Sequence, residues 1–310
     1  MNRVFLGVDV GGTKIAAAQV GVGGALGAVH TSPTPGDAGR EALLDAIADT
    51  ALRAAAGQPI AGLGVGTAGA VDAAAGVVVS ATETLREWKG TDVRAGLRSR
   101  LGLAEGVPLA VHNDVDAHAL GEYWRGAGVG VDSFLMLAVG TGVGGAVVLG
   151  GRLLMGAHHV AGEVAHVPVP GAEGLPCPCG RDGHLEALAA GPGIWRRYLA
   201  LGGDPTVTSG REVAERISSD PLALRAVQDG ADALGRGIAG LVTLLDPERV
   251  VIGGGFADPS SPWWQRMEAT LRAQVIDALA DVELLPARLG AQAAILGAAR
   301  AAMTMNHKSR

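Results

Sequence analysis

The sequence predicts an α/β protein of two lobes, and three observations carry that expectation. Its 310 residues are too many for one small core and suit two lobes of ordinary domain size. Short apolar runs bounded by glycine alternate with stretches of helical spacing. A unit of strand, glycine turn and strand also occurs twice, roughly one lobe apart. The first copy is Val4–Val10, Gly11-Gly12-Thr13-Lys14 and residues 15–20. The second is residues 133–139, the run GTGVGG at 140–145, and residues 146–149.

Further elements follow in chain order. A third strand is expected within 24–32, and a helix over 41–56 with Leu43, Leu44, Ile47 and Leu52 on one side. Then come a strand at 60–66, a short helix at 91–101, a strand at 108–112 and a helix over 115–125. The C-terminal third reads as mostly helical, with a long segment at 222–245. One short buried strand at 250–252 interrupts it and ends in Gly253-Gly254-Gly255. A last helix spans 291–303. No stretch has the composition of a flexible linker. The lobe boundary is placed near residue 115, giving a first lobe of 1–115 plus 291–310 and a second of 116–290.

Composition narrows the function classes. Hydrophobic residues make up 48% and charged residues 18% of the chain, which indicates a packed globular protein rather than disorder. The net charge is −6 and lysine occurs only at Lys14, Lys89 and Lys308. Phosphate-backbone affinity needs clustered Lys and Arg, so no nucleic-acid partner is expected. No apolar run reaches the roughly 18 residues of a membrane span, so no membrane association is expected. The first ten residues, with Arg3 and with Asp9 inside the apolar stretch, do not read as a signal peptide. Two cysteines do not make a disulfide framework, so a reducing, cytoplasmic setting is the default.

The glycine turns admit two readings. Gly140 to Gly145 and Gly64 to Gly69 both fit G-x-G-x-x-G, but a dinucleotide site needs a helix directly after the glycines. Here a strand follows Gly145, so the turn is a hairpin. A P-loop is excluded because the sequence contains no Gly-Lys dipeptide. A glycine hairpin can still cradle phosphate with exposed backbone N–H groups. Thr13 and Thr141 would each add a hydroxyl. Asp9, just before the first turn, is placed to hold Mg²⁺, through water. The alternative is a pair of purely structural turns.

His112-Asn113-Asp114 ends a strand and starts a helix. A carboxylate there can take a proton from a hydroxyl attacking a γ-phosphate. Asp114 as a mere helix N-cap is the alternative. A helix N-terminus would also stabilise the carboxylate and weaken it as a base, which a loose phosphoryl-transfer transition state tolerates. Further on, Cys177 and Cys179 are too close in sequence for a relaxed disulfide. They can share Zn²⁺ with His166 and His184, or be two buried thiols. His158-His159 is expected to be a surface or loop pair without a role.

Taken together, these segments resemble the ROK family, named for repressors, open reading frames and kinases. Val8-Asp9-Val10-Gly11-Gly12-Thr13-Lys14 matches its first phosphate motif, and Gly66-Thr67-Ala68-Gly69-Ala70-Val71-Asp72 its sugar-proximal loop. Asn113 to Glu122 matches the stretch with the catalytic Asp, and Gly140 to Gly145 the second phosphate motif. Gly162-Glu163-Val164-Ala165-His166 and Cys177 to Glu186 match the signature with its zinc site. Gly253-Gly254-Gly255 resembles the adenosine-binding turn.

The resemblance implies an actin-like, hexokinase and ribonuclease H-like fold of two lobes with a central cleft. It implies ATP-dependent phosphorylation of a hexose at the 6-hydroxyl, with glucose leading. An N-acetylmannosamine or N-acetylglucosamine kinase is the alternative. It implies Asp114 as the general base, and Gly69, Thr82, Asn113, Asp114, Glu163, His166 and Glu186 around the sugar. Asp9, Gly11, Gly12, Thr13, Lys14, Gly140, Thr141, Gly142, Gly254 and Gly255 are implied for ATP and Mg²⁺. His166, Cys177, Cys179 and His184 are implied for a structural Zn²⁺, and the assembly is expected to be a homodimer or homotetramer.

Three departures from the family pattern stand out. His184 replaces a third Cys, Ala165 a Gly, and Thr84 the Asn of glucokinase-like members. Thr82 resembles the sugar-contacting Thr of N-acetylmannosamine kinases. Repressor members carry a helix-turn-helix domain before the lobes, whereas here the first lobe begins by Val4. A sensor without catalysis would not need Asp9, Gly11, Gly12, Asn113, Asp114 and the Gly140 turn, all of which are present.

Overall fold

A computed structural model describes residues 3–82 and 84–305. The chain divides into two compact units. The first unit opens with β1 (Val4–Val10), β2 (Lys14–Val20) and β3 (His30–Pro33). It continues through α1 (Arg40–Ala55), β4 (Ile60–Thr67), β5 (Ala70–Asp72), β6 (Val77–Ser80), α2 (Val93–Arg100), β7 (Leu109–Asn113) and α3 (Asp114–Arg125). The second unit holds β8 (Phe134–Val139), β9 (Val143–Leu149) and β10 (Arg152–Leu153). It then runs through α4 (Glu186–Ala189), α5 (Gly191–Ala200), α6 (Gly210–Glu215), α7 (Pro221–Leu245), β11 (Arg249–Gly253), α8 (Pro262–Gln274) and β12 (Glu283–Pro286). The chain returns to the first unit as α9 (Ala293–Met305).

Both units carry a five-stranded sheet of the same design. The order is β3-β2-β1-β4-β7 in one and β10-β9-β8-β11-β12 in the other. In each, a glycine hairpin joins two antiparallel strands and two parallel strands extend the far side. The repeat glimpsed in the sequence as one hairpin therefore extends over the whole sheet. Loops at the C-terminal ends of parallel strands are where such sheets present ligand-binding residues. Asn113 and Gly253-Gly254 stand at those ends.

Close backbone contact explains part of the glycine content. A Cβ on Gly64 would lie 1.7 Å from the Ala298 carbonyl oxygen, and one on Gly297 would lie 1.8 Å from the Ala117 carbonyl oxygen. Helix α9 thus sits flush on β4 and on α3, which no larger residue permits. The first core is built on Leu6, Val8, Ile15, Leu43, Ile47, Leu63 and Trp88, the second on Leu135, Leu137, Ile194, Leu234, Ile252 and Trp263.

Several elements differ from the sequence reading. Leu52 is 48% exposed, and Ala51, Ala54 and Ala55 complete the buried face of α1 instead. The third strand is limited to His30–Pro33. Strand β9 begins at Val143, inside the GTGVGG run, so the turn is only Gly140-Thr141-Gly142. Strand β12 adds a second strand to a C-terminal third read as having one; its place comes from pairing with β11. Contacts group all of α3 with the first unit, whereas the sequence boundary near residue 115 gave it to the second. The physical reason is its packing on α9. Residues 153–161 also group with the first unit. Residues 1–2, 83 and 306–310 of the expected first lobe lie outside the described residues. Among the described residues, no helix is long and apolar enough to cross a membrane.

Candidate active site

In the first unit, Asp9 is the penultimate residue of β1 and is followed by the hairpin Gly11-Gly12-Thr13. The Gly11 N–H donates to the Lys14 carbonyl at 3.0 Å, closing the turn. Thr34 braces it: its hydroxyl donates to the Gly11 carbonyl at 2.7 Å and its N–H to the Thr13 carbonyl at 3.1 Å. Gly12, Thr13 and Lys14 are exposed. A Cβ on Gly12 would lie 2.9 Å from the Thr84 γ-methyl. Thr84 therefore lies against the hairpin, and the Thr82 hydroxyl donates to the Thr84 hydroxyl at 3.2 Å.

At the junction of β7 and α3 the cap is not Asp114, as the alternative reading had it, but its neighbour. Asn113 is the N-cap: its Oδ1 accepts from the N–H groups of Val115 at 2.8 Å and Asp116 at 3.3 Å. Its Nδ2 donates to the Gly69 carbonyl at 2.9 Å, tying the cap to the G-T-A-G loop. Gly69 holds φ at +98° and a Cβ there would meet the Ser80 carbonyl at 2.4 Å, so only glycine fits. Asp114 is the first residue inside the helix, and its Oδ1 accepts from the Val115 N–H at 3.0 Å. Burial raises the Asp114 pKa above the usual carboxylate value, against the lowering effect of the Val115 N–H, the Asp114 N–H and Asn113. The helix terminus was expected to weaken this base, but desolvation outweighs it.

Asp9 is raised to about 6, chiefly by burial and then by the negative charge of Asp114, with Lys14 pulling the other way. Two carboxylates therefore share one neighbourhood, and a bound cation would relieve both. Asp9 is thus chemically suited to Mg²⁺, which prefers oxygen donors and keeps much of its water.

In the second unit, the Gly140 N–H donates to the Gly142 carbonyl at 2.9 Å, and the Gly140 carbonyl accepts from the Gly191 N–H at 2.8 Å. Glu186, the first residue of α4, accepts the Val143 N–H through Oε2 at 2.9 Å. A residue expected at the sugar is thus anchored to the phosphate-type hairpin, a contact the sequence did not show. Gly254 holds φ at +95°, and a Cβ would lie 2.1 Å from the Val139 carbonyl, so the turn after β11 fits directly against the end of β8.

His166, Cys177, Cys179 and His184 come together. One donor atom from each lies within 4.8 Å of the others. Cys177 Sγ is 3.5 Å from His166 Nδ1, and Cys179 Sγ is 3.3 Å from His184 Nδ1. His166 turns its other nitrogen, Nε2, toward Glu163 Oε2 at 3.7 Å. Two thiols and two imidazoles at this spacing fit a tetrahedral zinc donor set. Backbone bridges Pro168–His184 and Pro176–Asp182 frame the segment.

Comparisons with known proteins decide the family. The ROK family model matches residues 5–305. The chain belongs to the ROK family. Glucokinase from Halalkalibacterium halodurans is 32% identical over 96% of this chain and 94% of its own. The ROK hexokinase structure from Thermus thermophilus superposes with a TM-score of 0.84 at 36% identity, covering 99% of this chain and 100% of that one. A ROK family glucokinase from Streptomyces griseus, in complex with glucose and AMPPNP, gives a TM-score of 0.81 at 31% identity, over 97% and 99% of the two chains. The fold is the actin-like one of ROK sugar kinases.

Within this ROK chain, two further residues matter that the sequence reading did not use. Glu122 is fully buried in α3, and its carboxylate accepts the N–H groups of Ala127 at 2.7 Å, Arg288 at 3.0 Å and Leu289 at 2.8 Å. It fixes α3, and with it Asp114, to the bend at Arg288–Leu289 that leads into α9. His159, expected to have no role, holds φ at +59° and places Nε2 3.7 Å from Asp72 Oδ2 in the sugar-loop hairpin. Glu122 closes the Asn113–Glu122 motif, but its burial and its partners, like the His159 contact, join segments too distant in sequence to be read from it.

Proposed function

We propose that the chain phosphorylates a hexose at its 6-hydroxyl with ATP, and that glucose is the preferred sugar. The observation that carries this reading is the division of labour at residues 113 and 114. Asn113 caps the helix, so the Asp114 carboxyl is left for chemistry, with its pKa raised by burial. The full-length likeness to glucokinases, and to one structure holding glucose and AMPPNP, supports the same reading.

In this account Asp114 accepts the proton of the 6-hydroxyl as its oxygen attacks the γ-phosphorus and the bond to ADP breaks. Asn113, Glu163, His166 and Glu186 hold sugar hydroxyls, since paired donors and acceptors reject wrong stereochemistry. Gly69 shapes the sugar loop and Thr82 borders it. Gly11, Gly12, Thr13 and Lys14, with Gly140, Thr141 and Gly142, supply donors to the ATP phosphates, and Gly254-Gly255 borders the adenosine. Asp9 would hold Mg²⁺, which when bound neutralises phosphate charge. His166, Cys177, Cys179 and His184 would hold Zn²⁺ as an organiser of the Glu163–His166 pair. A homodimer or homotetramer in the cytoplasm accords with this reading.

One observation favours a second substrate. Thr82 and Thr84 form a hydrogen-bonded pair beside Gly12, where glucokinase-like members carry Asn in place of Thr84. ADP production across glucose, mannose, N-acetylmannosamine and N-acetylglucosamine tests both. The highest kcat/KM on glucose supports the first reading, and the highest on an N-acetylhexosamine replaces it. ADP production with none of them would sink the hexose kinase assignment.

A further inference from the structure

A cavity of about 400 Å³ in the second unit is lined by none of the residues assigned above to sugar, nucleotide or metal. Its walls come from the loop just before Cys177, from Ala187 and Leu188 of α4, from α5 and from α7. That size and a partly apolar lining suit a small organic molecule.

The charges of this cavity are unusual for an acidic protein. Arg196, Arg197 and Arg236 line it together with Asp229 and Asp232. Both aspartates are already neutralised. Asp229 takes Arg197 at 2.7 Å and Arg225 at 2.8 Å, while Asp232 takes the Arg266 fork at 2.7 and 2.8 Å. Arg197, Arg225 and Arg266 thus serve the two carboxylates, and Arg196 and Arg236 stand outside these ion pairs. Arg196 spends one terminal nitrogen on the Ala187 carbonyl at 3.4 Å. Arg236 feels Asp232 electrostatically, yet its Nε is buried without a hydrogen-bond partner. A buried donor left unsatisfied is costly, and a guanidinium donor more so. The Arg236 Nε is closed off from the cavity, but an oxyanion there meets the positive charge of Arg236 and Arg196 and matches the fork of outer guanidinium nitrogens.

We propose that this cavity binds a small organic anion, a phosphate or carboxylate carried on an apolar body, that rests on Leu175, Pro176 and Leu188. The site goes beyond the sugar kinase reading and does not depend on it. Its walls are continuous with two functional segments: Pro176 precedes the donor Cys177, and Ala187 follows Glu186. An occupant would therefore stiffen the segments that hold the metal donors and the Val143 anchor.

Isothermal titration of the whole protein tests this, with phenyl phosphate, benzoate, inorganic phosphate and, as a neutral control, benzyl alcohol. One phenyl phosphate or benzoate per chain is expected, with benzyl alcohol silent. Tighter phenyl phosphate indicates a phosphate ester as the natural ligand, and tighter benzoate a carboxylate. Arg236→Met and Arg196→Met should each weaken the anion about tenfold or more, the worth of a charge-assisted hydrogen bond. If Arg236→Met does not fold, Arg236→Lys keeps the charge but loses the guanidinium fork. Weaker binding at an unchanged Tm then supports the site. The proposal fails if neither anion saturates, or if binding is unchanged in the substituted proteins, which would put the anion on the ATP-phosphate turns.

Discussion

The Val143 N–H donates to Glu186 Oε2 at 2.9 Å. This bond joins a carboxylate assigned to the sugar to the hairpin assigned to ATP phosphate. Glu186→Ala removes both the proposed sugar contact and the brace on the Val143 N–H. Its KM should therefore rise for glucose and for ATP together, by about tenfold each for one charge-assisted hydrogen bond. Steady-state kinetics with each substrate varied provide the check. A rise for glucose alone would mean that the hairpin holds its shape without the carboxylate.

Asn113→Asp separates two roles of one side chain. Aspartate caps a helix as well as asparagine does, so the melting temperature should change little. It cannot donate to the Gly69 carbonyl, and it sets an acceptor against an acceptor. The G-T-A-G loop should loosen and the sugar KM should rise. Asn113→Ala loses the cap as well, at a cost of about 1 kcal/mol in stability, which denaturant titration would detect. Equal stability losses in both variants would contradict this division.

The hairpins and the Asp114 position were legible in the sequence, while the contacts that assign their roles were not. Val4–Val10 is an apolar run stopped by Gly-Gly, which reads as strand and turn from local signals alone. Strand β9 was started three residues late because Gly144 and Gly145 lack the side chains that mark a strand. Strand β12 was missed because four residues ending in proline become a strand only through pairing with β11. The sequence reading put the possible cap at Asp114, but Asn and Asp cap helices equally well and the cap is Asn113. The Asn113 Oδ1 bonds to the Val115 and Asp116 N–H groups decide it, and the bond to Gly69, 44 residues away, holds the amide in that orientation. The same limit hid the Glu186–Val143 bond, the Glu122 cradle and the arginine-lined cavity.

Asp9 gives a stability signature with a defined sign. Its folded pKa is raised from 3.8 to about 6. Its favourable contribution is therefore complete below about pH 4 and is lost as pH rises through about 6. In metal-free protein, Asp9→Asn should match the parent near pH 4 and be more stable above pH 6, by at most about 3 kcal/mol. Thermal melts across pH supply the test, and a gap that widens toward acid would reverse the assignment. Turnover should fall on the acid side, because protonated Asp9 and Asp114 serve neither magnesium nor the 6-hydroxyl.

The four-residue donor set predicts one zinc per chain in protein purified without added metal. His184→Ala should lower zinc content and raise the sugar KM more than the ATP KM, because His166 joins the donor set to Glu163. His184→Cys supplies a thiolate and should retain zinc at least as well. Elemental analysis beside kinetics decides it. Fully active protein with less than about a tenth of a zinc per chain would mean that Cys177 and Cys179 are small packing residues.

The central claim is that Asp114 is the base that takes the sugar proton. The direct measurement is the turnover of Asp114→Asn in an ADP-production assay at saturating glucose and ATP, with glucose affinity measured on the same protein. Asparagine keeps the shape and hydrogen-bonding reach of the side chain, so glucose affinity should change little. The account predicts a fall in kcat of about two to four orders of magnitude, the loss expected for a positioned acid–base group. Near-normal turnover would contradict it and leave Asp114 a structural residue of the first turn of α3.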